Sequence, residues 1–197
     1  MALALVATVT PERIAQGDVS IRLALCNTGG SPIAIAPGAA KLAAVASFAG
    51  VGITWDLALG DARITELRRW YGPPGNPPAP SFITSYEVTL APGAEHVTEL
   101  PACWIPHLEP RHRTQAALDP QAMDGVSAIG DVGVLVLGAT ASQLDRTADD
   151  FLRGHVVAFL PAGGAYELRV RYLQRPWMKV GEQHEAAAAP VTIHLLR

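Results

Sequence analysis

The amino-acid sequence predicts a mainly β protein with the architecture of an antiparallel β-sandwich. Three observations lead to this fold class. Short segments in which apolar and polar residues alternate recur along the chain, and roughly nine or ten of them have the pattern of strands. Clusters of Gly, Pro and Asn separate these segments, and one segment has the pattern of a helix. Many short strands punctuated by turns are typical of two packed antiparallel sheets.

The chain begins with two alternating segments. Leu3 to Val9 and Val19 to Leu25 each place an apolar residue at every second position, which predicts half-buried strands. The sequence Asn-Thr-Gly-Gly-Ser-Pro from Asn27 to Pro32 then predicts a turn. Ile33 to Ile35 resumes the apolar pattern, so we expect the turn to join two strands as a hairpin or as a sandwich corner.

The middle of the chain contains a proline-rich loop between predicted strands. Val51 to Leu59 and Ile64 to Trp70 have strand-like patterns, whereas the alanine-rich segment from Leu42 to Phe48 suits either a strand or a short helix. Five prolines lie between Gly72 and Ser81. Proline withholds a backbone donor and restricts the residue before it, so we expect a long, stiff surface loop there.

The segment at about 101–154 differs in composition from the rest of the chain. Before it, Phe82 to Leu90 and His96 to Leu100 have the pattern of a hairpin. Pro101 to Asp124 is rich in Pro, His, Arg and Gln and is predicted to be a loop, whereas Gly133 to Gly138 suits a short buried strand. Ala141 to Gly154 is the predicted helix, with Ser at its start and Gly at its end. We therefore predict one domain over 1–197 with a loop and helix insertion at about 101–154.

The C-terminal part returns to alternating segments. Val156 to Leu160, Tyr166 to Tyr172 and Pro190 to Leu196 are predicted strands, and the second has the clearest alternation in the chain. The apolar residues of the segment from Tyr166 to Tyr172 should face the core together with those of the segment from Val19 to Leu25. The expected core residues of these two strands are Val19, Ile21, Leu23, Leu25, Tyr166, Leu168, Val170 and Tyr172.

Charge and composition exclude several classes of partner. The chain has 197 residues, 15 basic and 18 acidic side chains and a formal net charge of −3, which gives no electrostatic basis for binding nucleic acid or an anionic membrane. Pro37 and Lys41 interrupt the weakly polar stretch from Ile33 to Trp55, so it does not predict a membrane-spanning helix. The first residues lack the basic region of a signal peptide. We expect a cytoplasmic protein.

Several short motifs resemble the small immunoglobulin-like sandwiches of bacteria. The segment from Val19 to Thr28 has their strand followed by an Asn-Thr-Gly corner, and Leu90-Ala-Pro-Gly93 resembles their turn before a strand. Leu160 to Tyr172 resembles their penultimate strand and Pro190 to His194 their final one. Among named families, the intracellular proteinase inhibitors have the most similar order of pieces. The resemblance covers about half of the chain and skips 101–154.

This resemblance implies an immunoglobulin-like sandwich that binds another protein through loops and performs no catalysis. No inhibitory loop of that family matches this sequence residue by residue, so no functional residue is transferred from it. The motifs consist mainly of residues that form turns, and such residues specify a fold better than a function.

Aromatic residues at the two ends of the proline-rich loop form the first candidate binding site. Trp70 and Tyr71 precede the loop and Phe82 follows it. Tryptophan and tyrosine bury a large area at low entropic cost, and prolines reduce the entropy that a loop loses on docking, so these residues suit a protein-binding hot spot. The alternative is that the three aromatic side chains anchor the loop to the sandwich.

The second candidate binding site lies in the predicted insertion. Arg111, His112 and Arg113 form a basic cluster that suits an anion or a carboxylate of a partner, unless it is a solvated loop.

Trp104, which follows Cys103, is the remaining candidate binding residue. With Cys26 and Cys103 it also suits a disulfide packed against a tryptophan, but two reduced thiols fit an intracellular chain better.

Metal and catalytic signatures are weak. His107, Glu109 and His112 match no standard zinc spacing, and the neighbouring arginines would repel a cation, so no metal or other cofactor is expected. Common nucleophile, dinucleotide and phosphate motifs are missing.

We therefore expect a non-catalytic protein-binding module, such as an inhibitor or an assembly component. The alternatives are a hydrolase with a histidine site at 101–154 and a structural subunit that uses exposed strand edges.

Overall fold

The computed structural model describes residues 2–35, 53–60, 64–66, 88–109, 132–148, 151–152, 155–174 and 183–197. These residues form a mainly β fold in which antiparallel sheets make a curled half-barrel. The strands, in chain order, are β1 (Leu3–Thr10), β2 (Arg13–Ile14), β3 (Gly17–Asn27), β4 (Ile33–Ile35), β5 (Ile53–Leu59), β6 (Ile64–Glu66), β7 (Val88–Leu90), β8 (Glu95–Ile105), β9 (Val132–Leu137), β10 (Val156–Pro161), β11 (Gly164–Gln174), β12 (His184–Ala187) and β13 (Val191–Leu195).

Two sheets and a short ribbon contain the described strands. The large sheet has the order β1-β3-β8-β9-β10-β6, and every neighbouring pair in it is antiparallel. In the second sheet, β5 pairs with one edge of β11, while β12 and β13 share the other edge. Strand β2 runs parallel to β13, and β4 pairs with β7 as a two-stranded ribbon.

The main core lies between the large sheet and the second sheet. The predicted inward-facing residues of β3 are buried, and so are Leu168, Val170 and Tyr172 of β11. Tyr166 is half-buried, packs against the same core, and donates its hydroxyl hydrogen bond to the Pro161 carbonyl at 2.6 Å. The alternation read from the sequence therefore identified both faces of the core, because each of these strands has one side towards water.

A second, smaller core covers the opposite face of the large sheet. Every residue of β9 is buried, since Leu135 and Leu137 belong to the main core and its three valines to the second core. Residues that follow β8 and β9 cover this face, and they include Leu108, Leu144, Phe151 and Leu152. Strand β9 therefore lies inside the protein on both faces, which explains its uninterrupted apolar sequence.

The corner after β3 is built around a buried asparagine. Asn27 is 1% exposed, and its side-chain amide donates hydrogen bonds to the carbonyls of Ser31 and Leu90, both at 2.9 Å. Its side-chain oxygen accepts the Gly29 N–H at 2.9 Å. These bonds satisfy a buried polar group and turn the chain out of β3. The turn is a corner and not a hairpin, because β4 pairs with β7 instead of β3.

Three details of the predicted elements are wrong. The proposed helix from Ala141 begins as a short 3-10 turn, Ala141–Gln143, and the described residues after it form turns. The hairpin partner of β7 is not the following strand, because β8 pairs with β3 and β9. The loop predicted from Pro101 begins only after Ile105, since Pro101–Ile105 belongs to β8.

Pro101 is tolerated inside β8 because of where the neighbouring ladder ends. The first register pair between β8 and β9 joins Ala102 to Leu137. One step beyond it, the Pro101 carbonyl accepts the Gly138 N–H at 2.7 Å. The proline nitrogen has no hydrogen, so it cannot donate a second bond to the Gly138 carbonyl. The missing donor therefore falls at the end of the ladder and costs little.

Candidate functional site

The outer face of β1, β3 and β8 carries the most distinctive surface among the described residues. Odd-numbered residues of β1 and β3 point into the main core, so their even-numbered residues face outwards. Residues 95, 97, 99 and 101 of β8 share this face through the register of the ladder. We call the resulting surface the outer face. Its four cross-strand rows are Ala4-Cys26-Glu95, Val6-Ala24-Val97, Thr8-Arg22-Glu99 and Thr10-Ser20-Pro101.

The second row of the outer face is apolar, and its two ends are exposed whereas Ala24 between them is buried. Val6 is 49% exposed and Val97 is 38% exposed, and these are the exposed large hydrophobic residues of the described chain. Both lie directly opposite Ala24, on either side of β3. Adjacent strands are about 4.8 Å apart, so the two valines lie about 10 Å from each other across the sheet. Two exposed valines that flank the buried Ala24 on one face point to a contact surface more than a single exposed valine does.

Charged residues border the apolar row on both sides. The Arg22 guanidinium donates from Nη2 to Glu95 Oε1 at 3.1 Å, and its Nε lies 3.8 Å from Glu99 Oε1. The Ser20 hydroxyl donates to Glu99 Oε2 at 2.7 Å. One guanidinium thus faces two carboxylates. The three side chains are 41–57% exposed, so water screens these ion pairs and each stabilises the fold by at most about 1 kcal/mol.

An open groove of about 360 Å³ continues the outer face at one end. Its lining residues include Thr10, Ser20 and Thr140, together with Asp18, Glu99 and Pro101. Asp18 accepts the backbone N–H of Ala141 at 2.5 Å, which ties the 3-10 turn to the start of β3. The groove therefore extends the outer face towards Asp18 and Thr140.

The two cysteines lie at opposite ends of the ladder between β3 and β8. Cys26 pairs in register with Glu95, and Cys103 pairs with Asp18, so the thiols are far apart and both are free. Burial raises the pKa of the Cys103 thiol, and the nearby Asp18 carboxylate raises it further. Cys103 is therefore held as a neutral thiol within the second core, where it packs as a small apolar side chain.

Trp104 lies in the main core. Its side chain is 0% exposed, and its indole N–H donates to the Leu196 carbonyl at 3.1 Å. A contact between this ring and a partner would require the ring to leave the core. The other candidate binding residues lie outside the described residues; they are Trp70, Tyr71, Phe82, Arg111, His112 and Arg113.

The proposed metal and catalytic residues come from the segment after β8. His107 and Glu109 are exposed there, and His112 lies outside the described residues. Across the described ranges, no group of three or more His, Cys, Asp or Glu side chains is placed to hold a metal ion. In the same part of the chain, no helix has both the length and the hydrophobicity needed to cross a bilayer.

Reasoning from the sequence missed the outer face. Val6, Ala24 and Val97 occupy outward positions of three strands that are far apart in the chain, and register alone brings them into one row. The one sequence feature that points to the outer face is Val6, an apolar residue on the polar side of β1, where the alternation predicts a hydrophilic residue.

Comparisons with protein-family models, with curated proteins and with solved structures found no match for this chain. The outer face is therefore interpreted from its own geometry and chemistry.

Proposed function

We propose that this chain is a non-catalytic protein-binding module, an immunoglobulin-like sandwich that acts as an inhibitor or as an assembly component in the cytoplasm. The observation that carries the proposal is the pair of exposed valines, Val6 and Val97, that flank the buried Ala24 at the centre of the outer face. An apolar centre with a polar rim is the usual anatomy of a specific protein interface.

The strands beneath the outer face support this role because they are already ordered. Strand β3 is hydrogen-bonded along both edges, to β1 over Ser20–Asn27 and to β8 over Gly17–Cys26. Docking on such a surface requires only side-chain adjustments, so little conformational entropy is lost. The two free thiols are consistent with a reducing compartment.

We extend the proposal to the two loop sites predicted from the sequence. Trp70, Tyr71 and Phe82 would supply ring faces to a partner, and Arg111, His112 and Arg113 would bind its acidic groups. An inhibitor or an assembly component of this type would use one or both loops together with the outer face.

Replacing both exposed valines by serine tests the outer face. We expect Val6→Ser/Val97→Ser to lower recovery of a partner captured from the source cells by about tenfold, because the apolar contact is lost while the strands remain paired. Quantitative mass spectrometry of captured proteins measures the loss, and a melting curve checks the fold. The matched control is Ala165→Ser/Ala187→Ser, at exposed positions of β11 and β12. Equal recovery with all three proteins would contradict a role for the outer face.

Truncating Trp70 tests the proline-rich loop in the same capture experiment. If the ring is an interface anchor, Trp70→Ala should weaken binding by about 2 kcal/mol, roughly thirtyfold in affinity, and leave the melting temperature unchanged. A lower melting temperature with undiminished capture of the partner would show that the tryptophan anchors the loop instead. The proline-rich loop would then not be a binding site.

A further inference from the structure

The charges on the outer face do not balance within the patch around Val97. Glu95 and Glu99 lie on either side of Val97 at the neighbouring outward positions of β8. Arg22 is the cation that contacts both, at 3.1 Å and 3.8 Å. The three side chains therefore carry one excess negative charge beside the exposed Val97.

A partner that covers Val97 must also remove water from these glutamates. Their side chains are 50% and 57% exposed, so solvent now stabilises much of their charge. Desolvating a carboxylate is costly unless a cation or several hydrogen-bond donors replace the lost water. Ser20 donates one hydrogen bond to Glu99, and Arg22 is shared between the two glutamates. A neutral or acidic partner would leave the excess charge uncompensated, whereas a basic partner would pair with it.

The spacing of these side chains defines the pattern that a partner would need. Residues two apart on a strand are separated by about 6.8 Å, so the Cα atoms of Glu95 and Glu99 lie about 14 Å apart with Val97 midway between them. Both carboxylates turn towards the same Arg22 guanidinium, so their oxygens lie closer together than the backbone spacing. An aliphatic side chain flanked by lysine or arginine, whose long side chains can converge on the two carboxylates, would contact Val97 and both glutamates together.

We propose that the outer face docks a basic segment of another protein, in which an aliphatic residue lies between two lysine or arginine residues. This inference rests on the proposed binding function and specifies the chemistry of the partner. A second copy of the chain fits less well. A two-fold contact between outer faces would bring together four of these glutamates and two arginines, which leaves an excess of two negative charges at the interface.

Selection from a displayed library of short random peptides tests the proposal. The full chain is immobilised, and peptides are retained if they bind the wild type and fail to bind Val6→Ser/Val97→Ser, so that the selected peptides require the outer face. We expect these peptides to be enriched in lysine or arginine on both sides of an aliphatic residue. A synthetic peptide with the enriched sequence should bind Glu95→Gln/Glu99→Gln about tenfold more weakly, and added salt should weaken its binding to the wild type.

The matched control is Glu167→Gln on the other sheet. Glu167 is 52% exposed and accepts a hydrogen bond from Arg169 at 2.7 Å, so it is also a half-exposed glutamate in an ion pair. This variant should bind the synthetic peptide as the wild type does. A similar loss with Glu167→Gln would mean that overall charge, and not the outer face, governs binding, and the proposal would be wrong.

The remaining outcomes separate this inference from the binding function itself. Selected peptides without basic enrichment, or with unchanged affinity for Glu95→Gln/Glu99→Gln, would overturn the basic partner and leave the binding function standing. If no peptide depends on the valines, both proposals fail for this face. A chain that is dimeric in sedimentation and becomes monomeric in Val6→Ser/Val97→Ser would identify a second copy as the occupant, which also overturns the basic segment.

Discussion

Replacing Trp104 by alanine should lower the free energy of unfolding by about 3–5 kcal/mol, the range for large aromatic side chains in protein cores. The ring is 0% exposed, and it is one of the largest side chains buried between the two sheets. Its removal leaves a cavity and also deprives the Leu196 carbonyl of the indole N–H that it accepts. In a chain of this length the melting temperature should fall by on the order of 10 °C. Urea unfolding of wild type and variant measures the difference.

Trp104→Phe is the control that separates the ring from its hydrogen bond. Phenylalanine keeps much of the apolar volume and loses the donor, so we expect a loss of about 1–3 kcal/mol, clearly smaller than for alanine. If Trp104→Ala unfolds at the same urea concentration as the wild type, the ring is not a core residue. Trp104 would then again be a candidate binding residue.

The strands that were predicted best are those with one face in water. Alternation in β1, β3 and β11 reports directly which side chains are buried, because a half-buried strand separates apolar and polar residues by position. The sequence carries less information where both faces are covered. The apolar sequence predicts β9 as a short buried strand, but its partners β8 and β10 follow from the structure alone.

The predicted helix shows how a burial pattern can be mistaken for a helical one. Leu144 and Phe151 suited a common helical face, and both are indeed buried. They are buried because they cover the outward side of β9 and β10, and turns following Ala141–Gln143 place Leu144 there without an α-helix. Local propensity could not exclude a helix, since the alternative depends on a sheet surface formed by distant residues.

The candidate site could not be predicted because it depends on register. A shift of one residue between β1 and β3, or between β3 and β8, would turn every outward side chain towards the core. The sequence shows that Val6, Ala24 and Val97 lie in predicted strands, but the rows appear only when the ladders fix Val6 opposite Ala24 and Ala24 opposite Val97. Long-range pairing of this kind cannot be read from the spacing of residues in one sequence.

The close contact between β9 and the Trp104 ring leads to the second large effect, for Gly133→Ala. A Cβ at Gly133 would lie 2.6 Å from Trp104 Cζ2 and 2.8 Å from the Ile105 carbonyl oxygen, both shorter than van der Waals contact. A glycine-to-alanine change usually stabilises a compatible site by about 0.4–1 kcal/mol through the unfolded chain, so the expected sign here is reversed. We expect destabilisation by about 1–3 kcal/mol, because a fully packed core resists added volume.

Urea unfolding of three variants distinguishes this steric effect from a general cost of altering a glycine. Gly30→Ala is the matched control, since a Cβ at Gly30 meets nothing within 4 Å, and this variant should be neutral or slightly stabilised. In Gly133→Ala/Trp104→Phe the smaller ring should relieve part of the clash, so the double variant should be more stable than the sum of the single losses predicts. The Ile105 carbonyl is backbone and cannot withdraw, which should leave a residual loss. Additive losses would show that Gly133 and Trp104 do not pack against each other.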